Sequence, residues 1–199
     1  MLKDKLKTIS CIFFLTLIFG CAHVPFNTTT LINSQPIARQ HKGIYFVVFD
    51  ERDDRIKMER SFSYIHPLSH DPDIIFWGDK FFDKPLSSVF HDMLIRRFGN
   101  DPKGYKTEVK LKAYNPSWYM YRALAVIYKS EFRATLTAEI ALLDEENKYV
   151  FQKLYTAEFK EIPKSESIIR DVMLDALVKS FNKFADEFEI DLSRIRMMK

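Results

Sequence analysis

The chain of 199 residues sets 30 Lys and Arg against 27 Asp and Glu, and a net charge of +3 leaves no basic footprint for nucleic acid. Its two cysteines, Cys11 and Cys21, exclude a disulfide-stapled scaffold, so stability has to come from a hydrophobic core. With 18 Phe and 9 Tyr, that core, or a groove in it, is expected to be aromatic.

Residues 1–20 read as an export signal. Lys3, Lys5 and Lys7 form a basic head, and an apolar run from Ile9 to Phe19 comes next, broken only by Ser10 and Thr16. The run is too short to cross a bilayer, which takes roughly 20 residues. Leu17-Ile18-Phe19-Gly20-Cys21 ends in a small residue followed by cysteine. This resembles the lipobox of bacterial lipoproteins, in which the cysteine is acylated and becomes the first residue of the mature chain. Phe19 stands where that family usually has a small residue, and Ile18 where Leu is commoner. The alternative is an ordinary secretory signal cut near Gly20 or Ala22, which leaves Cys21 as a spare thiol or removes it. On the lipobox reading Cys21 carries covalent lipid and no other cofactor is expected. Each buried methylene contributes about 0.8 kcal/mol to anchoring, so two or more chains hold well. Ala22, in place of Asp, implies by the same resemblance an outer-membrane location facing the periplasm.

Cleavage removes three Lys and one Asp and leaves 179 residues with a net charge of +1. That length suits one domain, which can bury roughly 70% of its unfolded surface. Residues 21–42 are rich in Thr, Asn, Gln and Pro without a sustained period and read as the lipidated cysteine and a flexible tether. Extended, about 20 residues reach at most roughly 70 Å, so the domain could stand well clear of the lipid. The alternative is that Leu31 and Ile32 pack as an edge strand. Residues 43–199 form a single globular domain.

Gly43 opens Ile44-Tyr45-Phe46-Val47-Val48-Phe49-Asp50, short, apolar and β-branched, which predicts a buried strand. Glu51-Arg52-Asp53-Asp54-Arg55 is its expected solvated exit loop. Asp50, Asp53 and Asp54 lack the alternating aspartates, turn glycine and distal glutamate of a calcium loop and read as a surface charge cluster. Residues 56–64 alternate loosely, as a strand would. His66, His70, Asp71 and Asp73 then form the one histidine and carboxylate cluster of the mature chain, a candidate metal site by residue type. Pro67 and Pro72 disfavour a ligand-bearing helix there, and the bland reading is a polar turn.

Residues 73–77 predict a short strand ended by Gly78. Asp83 is the expected N-cap of a helix with Pro85 in its first turn. Leu86, Val89, Phe90, Met93, Leu94 and Phe98 make its apolar stripe, and Gly99-Asn100 stops it. Residues 107–114 alternate strictly, with Val109, Leu111 and Ala113 expected inward, and Asn115-Pro116-Ser117 is the expected break. Phe132, Ala134, Leu136, Ala138, Ile140 and Leu142 give the strongest strand signal in the chain. After a turn at 144–148, Tyr149, Phe151, Tyr155 and Phe159 line one face of the returning strand, interrupted by Lys153, which is expected to snorkel at an edge. A last helix from near Glu166 carries Ile169, Val172, Ala176, Leu177, Phe181, Phe184 and Phe188 on one stripe.

The order of elements and the segment Val47-Val48-Phe49-Asp50-Glu51-Arg52 resemble the YajG-type envelope lipoproteins and, more loosely, auxiliary lipoproteins of ABC transport systems and the LPS-assembly lipoprotein. The helix ending at Gly99, the hairpin of residues 131–159 and the helix reaching Asp191-Leu192 match, while residues 56–82 are longer than the equivalent region. The resemblance implies an α+β fold, a mostly antiparallel sheet with two main helices on one face. It also implies a non-enzymatic, membrane-anchored helper that binds another envelope protein or multiprotein assembly. The residues themselves offer no nucleophile elbow, phosphate loop or paired metal motif. Trp118, Tyr119 and Tyr121, in an expected exposed stretch, are candidate partner contacts. Two other classes stay open: binding of lipid or another apolar ligand through the aromatic supply, and metal-dependent hydrolysis through His66, His70, Asp71 and Asp73.

Overall fold

A computed structural model describes residues 25–38, 43–58, 61–64, 72–123, 126–162 and 169–197. The order along the chain is α1 (Thr29–Asn33), β1 (Ile44–Asp50), α2 (Asp54–Met58), β2 (Ser61–Tyr64), β3 (Asp73–Trp77), a 3-10 turn (Asp79–Phe81), α3 (Leu86–Phe98), β4 (Tyr105–Ala123), β5 (Val126–Leu143), β6 (Tyr149–Glu161) and α4 (Ile169–Met197). The six strands form one sheet in the order β2-β3-β4-β5-β6, with β1 paired to β4. Among the described strands the β1–β4 pair is parallel and the other pairs are antiparallel. β4 is long enough to carry two partners on one edge: β1 pairs with its first half, Tyr105 to Leu111, and β3 with Ser117 to Met120. The fold is α+β, with α3 and α4 packed on one face of a mostly antiparallel sheet.

The period-two pattern of β5 sets the layers. Ala134, Leu136, Ala138, Ile140 and Leu142 all point into the core, opposite the helices, and Arg133, Thr135, Thr137 and Glu139 lie on the other face. On β4 the same alternation passes through a bulge, where Leu111 pairs with Ala138 and Ala113 with Thr137. The extra residue, Lys112, changes the parity of the rest of the strand. Val109 and Leu111 face inward as expected, but Ala113 turns outward and Tyr114 takes the core position. β4 also runs through Asn115-Pro116-Ser117 instead of breaking there. Pro116 falls between the last residue paired to β1 and the first paired to β3, the stretch of this edge where a sheet tolerates proline. A second bulge, between Leu142–Phe151 and Leu143–Tyr149, moves Tyr149 off the aromatic face of β6 and into solvent.

Helix α3 buries every residue of its predicted stripe, and Gly99, at φ 77°, ends it. Helix α4 buries Ala176, Leu177, Phe181, Phe184 and Phe188, while Ile169 is exposed. Phe90 sits 5.6 Å from Tyr114, 5.7 Å from Phe181 and 5.5 Å from Phe184, and Tyr155 packs edge-on to Phe184 and Phe188 at 5.5 and 6.0 Å. Lys153 reaches from β6 to Asp191 of α4 at 2.6 Å, and its ammonium lies 4.7 Å from the Tyr155 ring.

Three expectations about the first part of the chain are corrected. Residues 26–38 are not a tether. Phe26 donates to the Phe81 carbonyl at 2.7 Å, α1 buries Leu31 in the core, and Ala38 donates to the Arg96 carbonyl at 2.7 Å. Leu31 does so from a helix and not from an edge strand. β1 is buried on one side only, with Ile44 and Phe46 inside and Tyr45 and Phe49 exposed. Residues 54–58 wind into α2, where the Asp53 carboxylate accepts the Arg55 backbone N–H at 2.9 Å, and among the described residues of the expected strand Ser61–Tyr64 are extended.

Phe181 and Leu177, at the centre of the core, are both 0% exposed. Phe181→Ala should cost about 3–5 kcal/mol and Leu177→Ala about 2–5 kcal/mol, read in urea as a lower midpoint with an unchanged slope.

Candidate partner groove and the buried arginine beneath it

The loop expected to be solvated holds the most buried charged side chain among the described residues. Arg52 is 2% exposed, and it forks to two carboxylates at once. Its Nε and Nη2 donate to Asp50 at 2.9 and 2.7 Å, and its Nη1 and Nη2 donate to Asp79 at 2.8 Å each. Bidentate pairing suits the planar guanidinium and compensates two carboxylates withdrawn from water. Asp79 also accepts the backbone N–H of Leu86 at 3.2 Å, so it caps α3. Asp83, the expected cap, instead accepts the Thr28 backbone N–H at 2.9 Å and the Thr28 hydroxyl at 2.6 Å. One side chain thus ties the end of β1 to the 3-10 turn and the start of α3, and a second ties the N-terminal segment to the same place.

These ties hold open a surface groove of about 500 Å³ between β1 and α3, lined among others by Tyr45, Val48, Ser87, Ser88, His91 and Asp92. The backbone of β1 alternates between its two edges. Glu51 donates to Leu111 and Tyr105 to the Gly43 carbonyl on the β4 side. On the other edge Phe46 donates to the Asn100 side chain, Asp101 donates to the Ile44 carbonyl, and Lys57 Nζ donates to the Asp50 carbonyl. By that alternation Val48 turns its N–H and C=O into the groove. Burial alone would raise the pKa of Asp50, but Arg52, by hydrogen bond and charge, with help from Ser87, holds it below the usual carboxylate value.

The residues singled out in the sequence fall elsewhere. Cys21, His66, His70 and Asp71 lie outside the described residues. Asp73 is buried at the start of β3, paired in register with Met120. Among the described residues no group of three His, Cys, Asp or Glu side chains is placed to hold a metal ion. Trp118 and Met120 are not exposed but turn to the helix side, where Trp118 stacks on Phe132 at 5.6 Å and on Trp77 at 6.3 Å. Tyr119 and Tyr121 take the opposite face. Arg133 covers the Tyr119 ring at 3.8 Å and donates to the Tyr121 hydroxyl at 3.1 Å, and that hydroxyl donates to Glu131 at 3.1 Å. Sequence reasoning missed the Arg52 network because its second carboxylate comes from 27 positions away and no local pattern announces it. Among the described residues no helix is long and apolar enough to cross a membrane.

Arg52→Met should cost about 3–5 kcal/mol at pH 7, because it strands a carboxylate in a buried position. The Asp50 pKa is depressed in the fold, so its contribution is present above the unfolded value near 4 and is lost as pH falls through the folded value. The gap between wild type and variant in urea midpoints should therefore narrow below about pH 4.

No protein-family model matches the sequence, and no relative is found among curated proteins. Solved structures resemble the chain in shape alone. An uncharacterised protein matches at TM-score 0.48 and 9% identity over 79% of this chain and 95% of its own. A Xanthomonas campestris protein of the DUF330 family matches at 0.47 and 13% over 78% and 84%, and a candidate lipoprotein from Caulobacter crescentus at 0.38 and 16% over 57% and 82%.

Proposed function

We propose that this chain is a non-enzymatic lipoprotein, anchored through acylated Cys21 to the outer membrane and facing the periplasm. Its domain binds another envelope protein by accepting an extended segment along the outer edge of β1. The groove there supports this reading: Val48 offers a backbone donor and acceptor, and Tyr45, Ser87, Ser88 and His91 frame the space a strand would take. Main-chain bonding supplies affinity in such a site, and the flanking side chains supply selectivity. An apolar-ligand carrier is disfavoured by the use made of the aromatic residues. Of Tyr149, Phe151, Tyr155 and Phe159, the aromatic supply on β6, Phe151 and Phe159 pack against the core, Tyr155 is fully buried between Phe184 and Phe188, and Tyr149 alone turns to solvent.

Two experiments test the proposal. A photocrosslinking residue at Tyr45 or His91, activated in cells, should capture a defined envelope protein, and Ser88→Trp, which fills the groove from an exposed position, should abolish capture without changing the circular dichroism. Capture that survives Ser88→Trp would move the site elsewhere. Cys21→Ser should leave the domain folded and exported but shift it from the membrane to the soluble periplasmic fraction, read by fractionation and intact mass.

A further inference from the structure

The packed N-terminal segment shortens the link between Cys21 and the domain. Phe26 is fixed by two backbone hydrogen bonds, its own N–H to the Phe81 carbonyl at 2.7 Å and the Asp83 N–H to its carbonyl at 3.0 Å. Its ring lies 5.7 Å from Phe81 and 5.8 Å from Phe82. Five residues from Cys21 to Phe26 span at most about 17 Å, a quarter of the reach that a free tether of residues 21–42 would have. A lipid on Cys21 therefore cannot leave the domain standing clear of the bilayer.

The direction of exit selects which end is held down. From Phe26, beside the start of α3, the segment runs to Ala38, bonded to Arg96 near the end of α3. Followed backwards, the chain leaves at the end of the stack where Phe26 packs with Trp77, Phe132, Val172 and Met173. Phe132 pairs with Glu161 across the sheet, so Ile162, 67% exposed, and Ile169, 45% exposed, belong to that same end. Among the described residues beside them, Arg170 pairs with Asp171 at 2.9 Å and Lys160 with Glu158 at 3.6 Å. Paired charges with apolar tips and indole rings close behind suit the headgroup layer of a bilayer.

We propose that acylated Cys21 holds this end, marked by Ile162, Ile169 and the β4–β5 hairpin that runs beyond them to Ala123 and Val126, toward the bilayer, so that the hairpin turn at 144–148 points away. The proposal rests on the anchor reading above. From Phe132 to Leu143 the rise of β5 separates the level of Ile162 from the turn at 144–148 by about 35–40 Å, so the orientation is measurable. Once the signal is removed and Cys21 acylated, no thiol competes with an introduced one. Full-length acylated protein carrying Ile162→Cys, Ile169→Cys or Glu146→Cys, all exposed positions, would be labelled with an environment-sensitive fluorophore and placed in phosphatidylethanolamine–phosphatidylglycerol vesicles containing headgroup spin-labelled lipid. Quenching should be several-fold stronger at 162 and 169 than at 146. Inserting about 20 Gly and Ser residues between Pro25 and Phe26 should erase that difference while vesicle association persists. Equal quenching at the three positions, or a difference that survives the insertion, overturns the proposal and leaves the anchor standing. An intact mass without acyl chains, or protein that washes off the vesicles, overturns the anchor and the orientation together.

Discussion

The structure depends on one seam of aromatic rings between the sheet and the two long helices. Because α3 and α4 cover a single face, the seam is where the domain buries most of its large side chains, with Phe90, Phe98, Phe181, Phe184 and Phe188 from the helices meeting Tyr114 and Tyr155 from the sheet. Each ring contributes through its buried area and through edge-on contacts with its neighbours. The lengths of the partners match. At 1.5 Å per residue α4 extends about 44 Å, and the strand rise gives β6 about 43 Å; the helix meets β6 from the Lys179–Glu161 contact at 3.6 Å to the Lys153–Asp191 pair, and its first turns pack on Phe132 of β5.

Everything at the margin of the seam is held by polar ties. Arg52 converts the end of β1, the 3-10 turn and the start of α3 into one unit, and Asp83 adds the N-terminal segment through Thr28. A buried guanidinium is compensated only while both carboxylates stay in place, so this corner resists local opening although it lies at the surface. That rigidity would suit the proposed use of the groove, in which the edge of β1 is presented in a fixed geometry. The uncovered face of the sheet is different in kind. Lys110 and Lys112 there meet Glu139 at 3.8 and 3.1 Å, as expected of an antiparallel sheet that faces water on one side.

In the orientation proposed, anchor and groove become parts of one arrangement. With that end toward the bilayer, the outer edge of β1, which lies in the half of the sheet beside the 144–148 turn, is held away from the lipid and open to the part of a partner that stands clear of the same membrane. A long flexible tether would let the domain sample all orientations and dilute that edge, whereas a link of about 17 Å restricts its height above the membrane.

Periodicity alone revealed much of the fold. The stripes of α3 and α4 and the alternation of β5 lie in consecutive residues, so local spacing reports which face is buried, and the resemblance of the stretch ending at Cys21 to a lipobox is equally local. The breaks in the pattern were not legible. The bulge at Lys112 exchanges Ala113 for Tyr114 in the core, Pro116 is carried inside a strand because no partner covers that stretch of edge, and Val150 turns Tyr149 outward. Each depends on what lies across the sheet. The same holds for Arg52, exposed by composition and buried by an aspartate 27 positions away, and for residues 26–38, polar enough to read as linker yet pinned by Phe26, Leu31 and Thr28. By itself the sequence determined the two long helices, the main strands and most of their inward faces, because those are properties of neighbouring residues. Only the tertiary structure decided the register, the buried ion network and the packing of residues 26–38 on the domain, because those come from contacts between segments far apart in the chain.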